Sequence, residues 1–184
     1  MMKAWQHFKT ITTHRFLVRK GCFKMGLYWQ GLTHDLSKYM PSEFWIGAKY
    51  YQGNRSPNTA EREDKGYSEA WMHHKGRNRH HYEYWCDVNL ETRRYDFVPM
   101  PRKYLAEMVA DRLAACKVYE GDKYDAGSAL RYLMKSREKD YMNQRTRREL
   151  EFLLTMLRDE GEEKTFRYIR QEMLKGKPFP WEKE

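Results

Sequence analysis

The sequence predicts an all-α protein, a compact single-domain helical bundle of 184 residues. Three observations predict it. Apolar residues recur at three- and four-residue intervals along most of the chain. No alternating strand pattern or hairpin signal competes with them. Gly and Pro fall mainly between the periodic stretches. Hydrophobic residues make up only 40% of the chain, but 6 Trp, 14 Tyr and 8 Phe bring enough buried area per side chain to fill one core.

The first helix is predicted from Ala4 to about Arg19, with Trp5, Phe8, Ile11 and Thr12 within one broad face. Ile11, His14 and Val18 follow the i, i+3, i+7 spacing, so His14 lies on the apolar stripe. His7 falls on the same side nearer the chain end, where helices fray, and reads as a surface residue. A second stretch runs from about Phe23 through Trp29 into the segment THDLSKY, where Pro41 forces a break. PSEFWIGAKYY reads as the third helix, with Pro41 early and Phe44, Ala48 and Tyr51 on one face. The polar segment from Gly53 to Gly66 contains Pro57 and reads as a surface loop or a lid.

From about Tyr67 to Trp85 the pattern is again helical, with Gly76 as its weak point. A polar turn region follows and ends at Pro99 and Pro101. Pro101 suits the first turn of PRKYLAEMVADRLAACKVY, which buries Leu105, Met108, Val109 and Leu113 and carries Glu107 and Asp111 one turn apart. Beyond Gly121, helices are predicted over Ser128 to Lys139, Gln144 to Arg158 and Glu162 to Leu174, and the tail GKPFPWEKE is expected to lie extended on the surface.

Cys22, Cys86 and Cys116 form no CxxC pair, which argues against a zinc ribbon or a dithiol site and suits a reducing, cytoplasmic setting. The N-terminus lacks the apolar run of a signal peptide, and no stretch is long enough to span a bilayer, so no membrane partner is expected. The net charge of +9 favours an anionic partner. An anionic small molecule is the leading expectation, with nucleic acid ranked behind it. The basic residues are scattered through mixed-sign segments, with local excesses from Lys75 to Arg79 and from Arg93 to Lys103.

Six of the seven histidines are His14, His34 and the doublets His73–His74 and His80–His81. Imidazole binds zinc, iron, manganese and nickel well, and neighbouring carboxylates favour harder, more open coordination. Adjacent helical side chains point about 100° apart, so His34 and Asp35 reach one ion only across a helix end or in the angle between helices. Helical spacing groups His74, Asn78 and His81 on one face and His73, Arg77 and His80 on its neighbour. Plainer readings exist for each: His14 as a hydrogen-bonded core histidine, Asp111 with Glu107 as a solvated helix edge, His73 and His80 as polar surface.

The order His14, His34–Asp35, the histidine-rich segment and Asp111 resembles the HD superfamily of metal-dependent phosphohydrolases, over about residues 1 to 120. HDLSKYMP is also similar to the HD-lysine-proline segment of the cyclic-dinucleotide phosphodiesterase branch, matching His34, Asp35, Lys38 and Pro41, but the HHExxDGxGYP segment of that branch is missing. The whole chain looks still more like a small bacterial family of unknown function with HDLSK, W..H...N.HH...W and MPRKYLAEMVAD segments. The HD resemblance implies an HD-type helical bundle holding one or two divalent ions (Mn, Fe, Ni, Zn or Mg). It makes His14, His34, Asp35 and Asp111 ligands of a first metal, and His74 with either His80 or His81 ligands of a second, bridged by Asp35. It implies hydrolysis of a phosphorylated small molecule or nucleotide, with Asp35 and Lys38 at the chemistry. A di-iron oxygenase is the rival within the same fold; a non-catalytic nucleic-acid-binding or metal-stabilised module is the rival outside it.

Overall fold

The computed structural model describes residues 2–136 and 141–182. The chain is an all-α domain with one small antiparallel hairpin. Its elements run α1 (Met2–Lys24), α2 (Tyr28–Thr33), α3 (Pro41–Lys49), α4 (Pro57–Lys65), α5 (Glu69–Lys75), β1 (Cys86–Asn89), β2 (Arg94–Phe97), α6 (Arg102–Glu120), α7 (Ser128–Lys135) and α8 (Gln144–Gln171). Among the described residues no helix is long and apolar enough to cross a membrane.

The core lies where α1, α6 and α8 meet. Leu105, Met108, Val109 and Leu113 of α6 are buried as their spacing predicts, and Leu150, Leu153, Leu154 and Leu157 of α8 repeat the same periodicity against them. Gly21 lets α1 approach α6 closely, since a Cβ there would stand 3.2 Å from the Cβ of Ala110. This contact sits two turns from His14 and beside Asp111, so it sets the distance between those two side chains.

The buried stripe of α1 is His7, Ile11, His14, Val18, Gly21 and Cys22; Trp5 and Phe8, expected on the apolar face, are exposed. His7 is therefore no surface residue. It is 6% exposed, lies between the rings of Phe44 and Tyr51, and packs on Gly47, where any Cβ would come within 2.4 Å of Nε2. Burial, reinforced by the charge of Lys38, holds its pKa down at about 4.

Four other expectations change. The segment expected as a loop or lid contains α4, which Pro57 opens and Gly66 ends at φ 83°. The helix expected from Tyr67 to Trp85 stops at Lys75, because the Asn78 amide donates to the His74 carbonyl at 2.8 Å and turns the chain away. A hairpin pairs Cys86 with Phe97 and Asn89 with Arg94, and Asn89 Oδ1 accepts from the backbone N–H groups of Glu91 and Thr92 in its turn. The break expected between the last two predicted helices is present inside α8, where Gly161 is non-helical at φ 80° and ψ 173°. The end of the helix expected to reach Lys139 falls partly outside the described residues. The tail does not lie flat on the surface: Phe179 is fully buried among Phe152, Tyr168 and Trp181, and a short 3-10 turn follows at Pro180–Glu182.

Candidate metal centre

Five parts of the chain converge on one buried cluster. His14 comes from the inner face of α1, His34 and Asp35 from the end of α2, His74 from α5, His80 and His81 from the turn after it, and Asp111 from α6. His34 is the C-cap of α2 with extended backbone, and Asp35 adopts the left-handed conformation at φ 52° and ψ 27°. Asp is one of the few residues other than Gly that tolerates this conformation. The doublet thus sits across a helix end, the arrangement in which both side chains reach one point. The following turn, Leu36–Tyr39, brings Lys38 Nζ back to 2.7 Å from Asp35 Oδ2.

The spacing within the cluster is regular. Asp35 Oδ2 lies 3.2 Å from His34 Nε2 and 3.6 Å from His14 Nε2. Asp111 Oδ1 lies 3.0 Å from His14 Nε2 and 3.5 Å from His34 Nε2. On the other side, Asp35 Oδ1 lies 3.2 Å from His74 Nε2 and 3.4 Å from His80 Nε2. Two ligand atoms each about 2.1 Å from a common ion stand about 3.0–3.4 Å apart at octahedral or tetrahedral angles. The residues therefore fit a divalent ion in two groups that share Asp35: His14, His34, Asp35 and Asp111, and Asp35, His74, His80 and His81.

The proton placement fits too. Glu107 Oε1 accepts from His34 Nδ1 at 2.9 Å and stands 3.1 Å from His80 Nδ1, and Glu43 Oε2 accepts from His74 Nδ1 at 2.8 Å. A carboxylate partner puts the proton on Nδ1 and leaves the Nε2 lone pair facing inward. The Nε2 atoms of His14, His34, His74, His80 and His81, and Oδ1 of Asp35, are buried and make no hydrogen bond. Each such group costs stability unless an ion satisfies it.

His34, His80 and Glu107 also lie close enough to form a third group. Each histidine has its Nδ1 turned to Glu107, so we assign Glu107 to orienting the rings. Burial opposes charge on Asp35 and Asp111, yet His34, Lys38 and His74 around Asp35, and His14 and His34 around Asp111, hold both carboxyls well below the usual range. Burial likewise opposes charge on His34, but Asp35, Asp111 and Glu107 raise its pKa. His81 is pushed well below its ordinary value by burial, then by His80 and His74.

Every candidate residue of the sequence reading lies in or beside this cluster, and the choice within the doublets narrows. His74, His80 and His81 all reach it. His73 does not: its Nδ1 meets Glu43 at 2.5 Å and its Nε2 meets Ser42 at 3.0 Å, so it braces Glu43. His80 is buried and is no surface residue, and Glu107 is buried and is no solvated edge. The sequence reading missed Glu43 and Glu107 as supporting groups. Their signal was helical position alone: Glu107 stands one turn before Asp111, and Glu43 opens α3.

A cavity of about 430 Å³ reaches from the cluster toward α4 and is lined by His14, Lys38, His74, Asp111, Arg112 and Tyr119 among others. Its wall carries the cations Lys38, Arg55 and Arg112 and the carboxylates Glu43, Glu83, Asp111 and Glu120.

No curated protein and no solved structure matches the chain. A family model covers residues 3–156, a span that contains every residue of the cluster. The chain belongs to that family, described as a family of unknown function, DUF5662.

Proposed function

We propose that the chain is a metal-dependent phosphohydrolase of the HD type, acting on a phosphorylated small molecule or nucleotide. The observation that carries this reading is the convergence of five histidine Nε2 atoms on Asp35, with no hydrogen bond to any of them. His14, His34, Asp35 and Asp111 would hold one ion, and Asp35, His74, His80 and His81 a second. A divalent ion bound there supplies Lewis acidity toward a phosphoryl oxygen and lowers the pKa of a water. Glu107 and Glu43 fix the imidazole tautomers. Asp35 keeps its charge and joins the two groups. Lys38 balances that charge and presents a cation to an incoming phosphate, with Arg112 further along the cavity wall. The unpaired thiols Cys22, Cys86 and Cys116 support a reducing, cytoplasmic setting.

A second reading rests on the same carboxylate-bridged histidine set, which also suits a pair of irons and oxygen chemistry. The Lys38 ammonium, 2.7 Å from Asp35 and on the cavity wall, favours the phosphohydrolase, since it gives a phosphate a cation beside the histidine set. Turnover that consumes dissolved oxygen would reverse that order.

The test is elemental analysis of untagged protein, wild type and Asp35→Ala, followed by a phosphoester screen with the metal found. Wild type is expected to hold about one or two ions per chain, and Asp35→Ala to lose them, with hydrolysis falling by about two to three orders of magnitude. Wild-type protein that takes up none of manganese, iron, nickel, zinc or magnesium sinks the proposal.

A further inference from the structure

Helix α1 has two contrasting faces. One side carries His7, Ile11, His14 and Val18 inward. At 100° per residue, Trp5, Phe8, Thr12, Phe16, Arg19 and Phe23 fall on the other side within a stripe about 80° wide, and all six are exposed. Trp5 is 57% exposed and Phe16 55%. The stripe continues onto neighbouring elements, because the Phe23 ring meets Tyr28 of α2 at 5.3 Å and the Phe8 ring meets Tyr39 at 5.8 Å. Trp29, at 73% exposure, and Leu32 and Leu36, each about half exposed, extend the apolar surface there. A face with this many exposed rings marks an interaction site.

Charge identifies what it meets. Residues 1–34 contain six cations and neither Asp nor Glu. Lys24 pairs with Glu163 and Arg15 donates to the carbonyls of Leu32 and His34, while Lys3, Lys9, Arg19 and Lys20 are exposed. Cations lie among the rings, with Lys9 over Trp5 at 5.2 Å and Arg19 over Phe16 at 5.4 Å. We propose that the face formed by α1 and α2 docks on an anionic lipid bilayer, with the rings and leucines at the headgroup boundary and the cations on lipid phosphates and carboxylates.

Two other occupants fit less well. A second copy in a two-fold contact would set Lys3, Lys9, Arg19 and Lys20 against their own copies. Nucleic acid would use the rings and cations but not Leu32 and Leu36, which offer no stacking face to a base. The expectation of no membrane partner rested on the lack of a spanning segment. That bears on crossing a bilayer and leaves lying upon one open.

The test is co-sedimentation of the full chain with vesicles of phosphatidylcholine alone or with about 30% phosphatidylserine, at about 0.1 and 0.5 M NaCl. Binding is expected to be about tenfold stronger with phosphatidylserine and to weaken at the higher salt. Trp5→Ser with Phe16→Ser should lower it about tenfold while the circular dichroism and melting midpoint stay unchanged, because both side chains are mainly in solvent. If that variant misfolds, Lys9→Glu with Arg19→Glu gives the same readout. Binding that ignores phosphatidylserine overturns the proposal. So does binding to oligo-dT with none to vesicles, or a dimer in light scattering that Trp5→Ser with Phe16→Ser dissolves.

Discussion

Glu107 Oε1 serves two rings at once, His34 Nδ1 and His80 Nδ1, which belong to the two different candidate ligand groups. Substituting Glu107→Gln keeps the shape and removes the charge, so the amide oxygen accepts more weakly and the amide nitrogen competes for the wrong tautomer. Metal affinity should fall about 10- to 100-fold in chelator competition, with little change in the circular dichroism. An affinity equal to wild type would remove Glu107 from its orienting role.

His7 gives the pH prediction at this scale. Its pKa is lowered from 6.5 to about 4, so between those values the unfolded chain binds the proton that the folded chain refuses. The stability this neutral imidazole contributes is therefore full above about 6.5 and is lost as pH falls toward 4. In urea unfolding at a series of pH values, wild type should lose more stability across that window than His7→Gln. Parallel curves would mean that His7 titrates normally.

At the scale of elements, legibility followed burial. The helices α6 and α8 were readable because their inward faces are runs of Leu, Met and Val at helical spacing. The helix α4 has no such stripe, burying only Ala60 and Glu61, so it read as a loop; Pro57 and Gly66 at its ends were the signal. The hairpin was missed because its strands are four residues each and mostly exposed, with no alternation to detect. The error after α5 ran the other way. Helical spacing continues past Gly76 in the sequence, but Asn78 spends its amide on the His74 carbonyl and on Ser37 Oγ at 2.9 Å. The grouping of His74 and His81 was right about where the rings meet and wrong about the path between them. Asn78→Ala should remove both bonds, lower stability by about 1–2 kcal/mol in urea unfolding, and weaken metal binding through His80 and His81. A variant with unchanged stability and affinity would show that the turn holds without the Asn78 amide.

The candidate ligands come from α1, α2, α5, its following turn and α6, so at the scale of the whole molecule an ion would bridge segments from residue 14 to residue 111. The core of α6, α8 and the inner face of α1 is packed from apolar side chains that need no ion, whereas α2, α5 and the turn bury few apolar side chains of their own. The fold should therefore persist without metal, with the cost concentrated at α5 and the turn after it. A ligand present at 1,000 times its dissociation constant stabilises by about 4 kcal/mol. For a domain of this size that corresponds to a melting shift of about 8–16 °C. Chelation should lower the midpoint by about that much, and hydrogen exchange should quicken first over residues 69–85 while α6 stays protected. The same midpoint with chelator as with added manganese, iron, nickel or zinc would show that the buried Nε2 atoms are satisfied by something other than a metal. The lost stability should return on re-addition of the ion in proportion to its logarithmic concentration, a dependence that a merely structural effect of the chelator would not produce.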